Sequence, residues 1–304
     1  MSSCNRLLNS IRQADDFIRY ALDLEPEERN RINDYARRIA SAEMQQNNIA
    51  GKDTLSCGDN RDFYYQTDES RVLLRKEIFK ELISYPRPKN DEDIKYGEGG
   101  ALPQSNVVYE KQAFFIIGLP ASGKSSIAAS LADRYGAIIL DSDYAKRKFP
   151  EYAIDFGASL VHEESSIVVF GGRGRYADED SVLQHCVSCG ANIVIPKIGD
   201  KAEKVHSFSA QLVAKGYEVH LILVRLSREK AAKRALNRYL STNRYVPLSL
   251  IFDEYSNNPT ITFYDLKETL RYTNVFKSYT MVSTDVPKGS EPERLLYDSN
   301  SPII

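Results

Sequence analysis

The chain has 304 residues, 42% of them apolar and 27% charged, with no tryptophan; this is a globular composition, long enough for one large or two modest domains with a buried core. Lysine plus arginine number 40 against 42 for aspartate plus glutamate, a net charge of −2, so no surplus of positive charge is available for general nucleic-acid binding. The longest apolar runs, such as Ala113 to Ile117, fall far short of the roughly 20 residues of a membrane helix, and Arg6, Arg12, Asp15 and Asp16 argue against an ordinary signal peptide, so no membrane association and a cytoplasmic location are expected.

In chain order, residues 5 to 24 place Leu7, Ile11, Ala14, Ile18 and Ala21 on one helical face. Pro26 followed by Glu27 and Glu28 predicts a second helix running to about Gln46, with Ile32, Tyr35, Ile39 and Met44 inward. A third, from about Asp68 to Ser84, carries Leu73, Leu74, Ile78, Phe79 and Leu82. Residues 1–90 are therefore expected to form a separable helical region. The stretch YPRPKNDEDIKYGEGGALPQ that follows sustains neither helical nor strand periodicity, and residues 91–107 read as a linker.

Beyond it, apolar runs near 113–117, 137–140, 192–195, 219–224 and 279–283 alternate with helical patterns near 123–135, 157–169, 178–189, 202–216 and 227–241. Repeated βα units predict an α/β fold, a parallel sheet covered by helices on both faces, over residues 108–285 with a tail at 286–304. The four cysteines, Cys4, Cys57, Cys186 and Cys189, are too few for a disulfide framework and suit a reducing compartment. Cys186 and Cys189 beside His185 lack a second pair at zinc-site spacing and read as packed on an amphipathic helix.

The most informative string is Gly118-Leu119-Pro120-Ala121-Ser122-Gly123-Lys124-Ser125, which satisfies GxxxxGK[ST] between a predicted strand and a predicted helix opening on Ser125 and Ser126. Such a loop curls its backbone N–H groups toward phosphate oxygens while the following helix presents its positive end. Lys124 would contact the β- and γ-phosphates of ATP, and Ser125 would coordinate Mg²⁺. The second strand ends in Leu140-Asp141-Ser142-Asp143, at the carboxyl edge where ligands sit in open α/β sheets. One of these aspartates is a candidate base for phosphoryl transfer to a hydroxyl, and one a candidate helix cap.

The strings GLPASGKSS and DSDYAKRKFPEY resemble the zeta-toxin family of P-loop kinases, over about residues 108 to 285. That resemblance implies a P-loop NTPase fold of kinase type and transfer of the ATP γ-phosphate to a hydroxyl of a nucleotide-like metabolite. The acceptor would be UDP-N-acetylglucosamine at its 3′-hydroxyl or a similar nucleotide sugar, or the ribose of NAD as in related effectors. It implies Asp143 as the base, with Asp141 supporting the turn and grouped with the substrate residues. Glu164, in His162-Glu163-Glu164-Ser165, falls where the family places a substrate-contacting glutamate. Arg238, in Asn237-Arg238-Tyr239, matches the family's arginine-tyrosine lid element, with Arg244 a second arginine for ATP.

The sequence departs from the nucleotide-sugar kinases at Asn192-Ile-Val-Ile-Pro196-Lys197-Ile198-Gly199, which replaces the family's Glu-Gly-Thr-Gly-Arg segment; Lys197 is a candidate for an acceptor phosphate. Arg173 and Arg175 could reach a diphosphate from a loop. The family's biology implies an antitoxin partner, or inhibition in cis by the N-terminal helices, and a host cytosol as the setting if the protein is a delivered effector. A nucleotide-binding regulatory module without metabolite kinase activity is the reading of a different class, and Asp143 separates the two.

Overall fold

In the computed structural model, which describes residues 6–22, 24, 26–49, 53–154, 156–269, 275–287 and 289–304, the apolar runs form a six-stranded sheet. Its strands are β1 (Gln112–Ile117), β2 (Ile138–Ile139), β3 (Ile193–Lys197), β4 (Glu218–Arg225), β5 (Phe276–Ser283) and β6 (Glu293–Leu296), in the order β2-β3-β1-β4-β5-β6. All neighbours pair in parallel except β5 and β6. Five consecutive buried positions in β1 mark a strand covered on both faces, the reason its sequence reads as an unbroken apolar run. β6 lies in the expected tail; its mostly exposed ERLL has no apolar run to announce it.

The helices are α1 (Ile11–Ala21), α2 (Pro26–Arg29), α3 (Ile32–Ile49), α4 (Asp68–Ser84), α5 (Lys124–Tyr135), α6 (Ser142–Lys146), α7 (Gly157–Leu160), α8 (His162–Phe170), α9 (Val182–Cys189), α10 (Ala202–Ala214), α11 (Arg228–Thr242) and α12 (Asn258–Glu268). A π-helical stretch, Leu250–Tyr255, precedes α12. α5 packs on β1, β2 and β3, and α10 and α12 pack on β4. The second expected helix is broken into α2 and α3, and Met44, Leu7 and Ile11 are exposed, with Phe17 taking the inward place on α1. Cys186 is buried and Cys189 exposed on α9, while Cys4 lies outside the described residues.

Two apolar clusters divide the molecule, and the division does not fall at residues 91–107. Leu74, Ile78 and Leu82 of α4, with Ile94 and Ala101, belong to the same core as the sheet. α1 and α3 belong to a second cluster with α11, Leu119, Tyr245, Leu248 and Ile251. Of the described residues before the expected linker, α1 and α3 pack in the second cluster and α4 packs in the sheet core, so residues 1–90 do not pack as one separate unit. Proline, glycine and charge in the expected linker reflect missing periodicity, not missing contact. Arg87 pairs with Asp133, and Lys148 donates to Glu81 Oε2 at 2.6 Å and to the carbonyls of Lys95 and Glu98. Gly100 lies so close to the carbonyl of Tyr85 that a Cβ there would be 2.2 Å from its oxygen.

Candidate active site

The turn from β1 into α5 is shaped by what surrounds it. Gly123, the N-cap of α5, has φ 88°, a left-handed conformation that glycine adopts without steric cost. From the end of β5, Thr284 Oγ1 donates to Ser122 O at 2.7 Å, and Arg234 on α11 donates to Thr284 O at 2.7 Å. The amine of Lys124 lies in the loop's concavity, 2.8 Å from Gly118 O and 2.6 Å from Leu119 O. Burial pushes that amine down to about 8, against the pull of Asp141 and Asp143.

Beyond the end of β2, Asp141 is the N-cap of α6 and accepts from the backbone N–H of Asp143 at 2.9 Å. The side chain of Asp143 meets Lys146 Nζ at 3.0 Å and the guanidinium of Arg244. The two carboxyls shift in opposite directions. Burial and then the charge of Asp143 raise Asp141; for Asp143 burial acts the same way, but Lys146, Arg244 and Arg147 outweigh it and hold the carboxyl well below the usual carboxylate range. Arg244 also reaches Glu92 at 3.0 Å, and Arg147 reaches the same carboxylate at 3.0 Å.

These groups border a cavity of about 1040 Å³ at the carboxyl edge of the sheet. On the loop side its walls carry Lys124, Lys146, Arg234, Arg238 and Arg244; around the end of β3 and the start of α10 they carry Lys197, Lys201 and Lys204. Among the described residues, three carboxylates stand against these eight cations: Asp141, Asp143 and Asp200. A chain with a slight net negative charge thus concentrates positive charge in one cleft, which favours a polyanionic ligand. Lys197 Nζ lies 3.4 Å from the ring centroid of Phe170, and burial pushes its amine down to about 8. The Nε of Arg238 is buried and has no hydrogen-bond partner among the described residues, while burial and then Arg244 lower its pKa.

Ser125 is exposed at the start of α5 and lines this cavity with Asp141 and Asp143. A hydroxyl and two carboxylates are hard oxygen donors, suited to Mg²⁺ shared with nucleotide phosphates. No group of three or more His, Cys, Asp or Glu among the described residues could hold a metal by itself.

Other expected residues lie elsewhere. Glu164 is fully buried and does not line the cavity: it accepts from Arg71 Nε at 2.7 Å, Arg75 Nη1 at 2.6 Å and Thr54 Oγ1 at 2.6 Å. Its expected contact with substrate is corrected by helix geometry. At 100° per residue, His162 and Glu164 point to nearly opposite sides of α8, and it is His162 that faces the cavity. Arg173 and Arg175 also lie outside the cavity lining; Arg175 sits 3.7 Å from Asp68 and over the ring of Tyr176.

The zeta toxin family model matches residues 104–300. This chain belongs to the zeta toxin family. Membership makes it a P-loop kinase, a phosphotransferase by reaction class, and the parallel sheet with its helices is the corresponding fold. Among solved structures, the PezAT chromosomal toxin-antitoxin system of Streptococcus pneumoniae is similar at 17% identity, over 74% of this chain and 80% of that one, with a TM-score of 0.47. The AvrRxo1-ORF1:-ORF2 complex with ATP is similar at 15% identity over 75% of this chain and 64% of that one, TM-score 0.41. A gluconokinase from Sinorhizobium meliloti follows at 17% identity over 59% and 86%, TM-score 0.32. A comparison with curated protein sequences returns no match. Among the described residues no helix is long and apolar enough to cross a membrane.

Several cavity residues escaped the sequence reading: Lys146, His162, Arg234, Lys201, Lys204 and Tyr245. For Arg234 a signal was available, since it lies four residues before Arg238 on one face of α11. Lys201 and Lys204 lie just past the segment ending at Gly199, at the N-cap and in the first turn of α10, where lysines also read as an ordinary solvated helix start.

Proposed function

We propose that this zeta toxin family member transfers the γ-phosphate of ATP to a hydroxyl of a metabolite that itself carries phosphate, a nucleotide sugar or NAD-like dinucleotide. The observation that carries this reading is the cavity's charge, with cations on the loop side and a second group at Lys197, Lys201 and Lys204. Phosphoryl transfer asks a protein chiefly for positioning and for stabilising charge on the transferred group. The first group suits the triphosphate, and the second suits phosphate on the acceptor.

In this reading Gly118 to Ser126 cradle the triphosphate, with Lys124 exchanging its loop carbonyls for phosphate oxygens. Ser125 holds Mg²⁺ on the nucleotide, and the chemistry the ion supplies is neutralisation of charge on the β- and γ-phosphates. Arg238, whose Nε has no partner among the described residues, stabilises the transferred group. Asp143, kept ionised by its cationic neighbours, orients the acceptor hydroxyl and accepts its proton, while Asp141 holds the turn that carries it. Arg244 bridges these two functions. Membership in a toxin family makes a neutralising protein partner part of the same reading.

The test is incubation of the purified chain with labelled ATP, Mg²⁺ and a panel of UDP-sugars, NAD and nucleosides, with products identified by mass. Transfer to phosphate-bearing acceptors, lost in Lys124→Ala, is the expected outcome. Equal transfer to uncharged nucleosides, or unchanged turnover in Lys124→Ala, would overturn it.

A further inference from the structure

Arg244 is placed beside Asp143 by residues that the P-loop sheet does not contain. α11 ends at Asn243, whose left-handed φ of 57° turns the chain back before Arg244 enters the site. On both sides of Arg244 the chain is fastened to α3. Arg38 donates to Asn243 Oδ1 at 2.8 Å, and its own carbonyl accepts from Tyr239 Oη at 3.1 Å. Immediately after Arg244, Tyr245 turns away from the arginine's partners and donates to Glu43 Oε1 at 2.6 Å. Both of these side chains are buried, Glu43 at 5% exposure and Tyr245 at 6%. The rings of Tyr239 and Tyr245 meet edge to face at 5.0 Å, closing the clamp from inside.

The clamp is supported from below. α1 packs on α3, Phe17 meets Phe252 of the π-helical stretch at 5.5 Å, and Arg6 forms an ion pair with Asp253 at 2.7 Å. One turn beyond Glu43, Gln46 lines the cavity, so α3 borders the site that its contacts shape. A buried hydroxyl–carboxyl bond is costly to leave half made, because the remaining partner loses water without compensation. That makes Glu43–Tyr245 a fixed point, not a fluctuating surface contact.

We infer that Glu43 is a positioning residue for phosphoryl transfer: through Tyr245 it fixes the turn that carries Arg244, and so sets the guanidinium between Asp143 and the transferred phosphoryl group. The inference rests on the reading of Asp143 and Arg244 proposed above. It assigns α1 and α3 a constructive part in the reaction, in place of a cover over the cleft. An amide keeps the oxygen that accepts from the Tyr245 hydroxyl, so Glu43→Gln is the conservative substitute.

Two measurements on the full chain test it. Hydrogen exchange should speed up in residues 239–247 of Glu43→Leu and Tyr245→Phe, with the sheet unchanged, and Glu43→Gln should restore protection. Unchanged exchange in 239–247 would overturn the clamp whether or not the protein proves to be a kinase. In the transfer assay, Glu43→Leu should lower kcat about 10- to 100-fold, the scale of a misplaced catalytic group, leave the KM for ATP near wild type, and be rescued by Glu43→Gln. In an Arg244→Ala background the same substitution should cost little more, since both act through one group. Full additivity would show that Glu43 does not act through Arg244. Absence of transfer by the wild-type chain would instead refute the kinase reading, leaving the clamp to be judged by exchange.

Discussion

Two groups of charged residues lie at opposite sides of α8, and they differ in how charge is balanced. Around Glu164 every charge has a partner from the chain: Arg71 spans Glu151 and Glu164, and Arg75 spans Glu164 and Glu179 at 2.6 Å each. Facing His162, the described residues of the cavity supply eight cations for three carboxylates. The first group is complete in itself and joins α4 to α8; the second is complete only with anions from outside. Residue type does not distinguish the two. A carboxylate satisfied by buried arginines is architecture, whereas a surplus of cations in a cleft is a request for a ligand.

The sharpest test of this contrast is Asp143→Asn, expected to lower turnover about 10²–10⁴-fold, the scale of general-base catalysis, with ATP affinity near wild type. A parallel loss of ATP affinity would move Asp143 from the acceptor to the metal. On the other side of α8, Glu164→Ala should cost about 3–5 kcal/mol of stability, as expected when a buried ion network loses one member. Urea unfolding measures this. Acceptor KM in the folded fraction should be unchanged; a raised KM at wild-type stability would return Glu164 to the substrate and erase the contrast.

Lys197→Ala should raise the KM for a phosphate-bearing acceptor by about tenfold to a hundredfold, the worth of a charged hydrogen bond, and leave the KM for ATP alone. Equal effects on both substrates would merge the two cationic groups into one. The smallest expected effect is in the pH profile. Burial pushes the amines of Lys124 and Lys197 down to about 8 when no ligand is bound. Below that pH both are cations; above it the neutral form grows, so kcat/KM should fall as pH rises through about 8. Bound phosphate stabilises the cations, so kcat should fall only at higher pH. A flat kcat/KM from about pH 7 to about pH 9 would break this assignment.

What was legible in the sequence follows from the range of the interaction. The phosphate loop could be read because the turn needs Gly123, the lysine and the hydroxyl at fixed offsets, all within eight residues. The five parallel strands could be read because burial on both faces leaves an apolar run. Glu164 could not be placed, because its partners Arg71 and Arg75 lie 93 and 89 residues upstream and because a step of two residues separates cleft from core on α8. The same holds for Tyr245, whose partner Glu43 is 202 residues away. The antiparallel β6 was missed because an edge strand with exposed side chains carries no pattern of its own.

The buried ion network also dictates an order of events during synthesis. Arg71 and Arg75 leave the ribosome well before Glu151, Glu164 and Glu179, and α4 precedes α6, α8 and α9, the helices it packs against. Domains usually fold as units, amino-terminal ones first as they emerge, but here α4 lacks its packing partners until α6 and α8 have been made, and its ion network is completed only at Glu179. The nascent chain must therefore carry this helix uncovered while the phosphate loop itself is made, and the competent nucleotide site arrives later still, once α11 and β5 have followed.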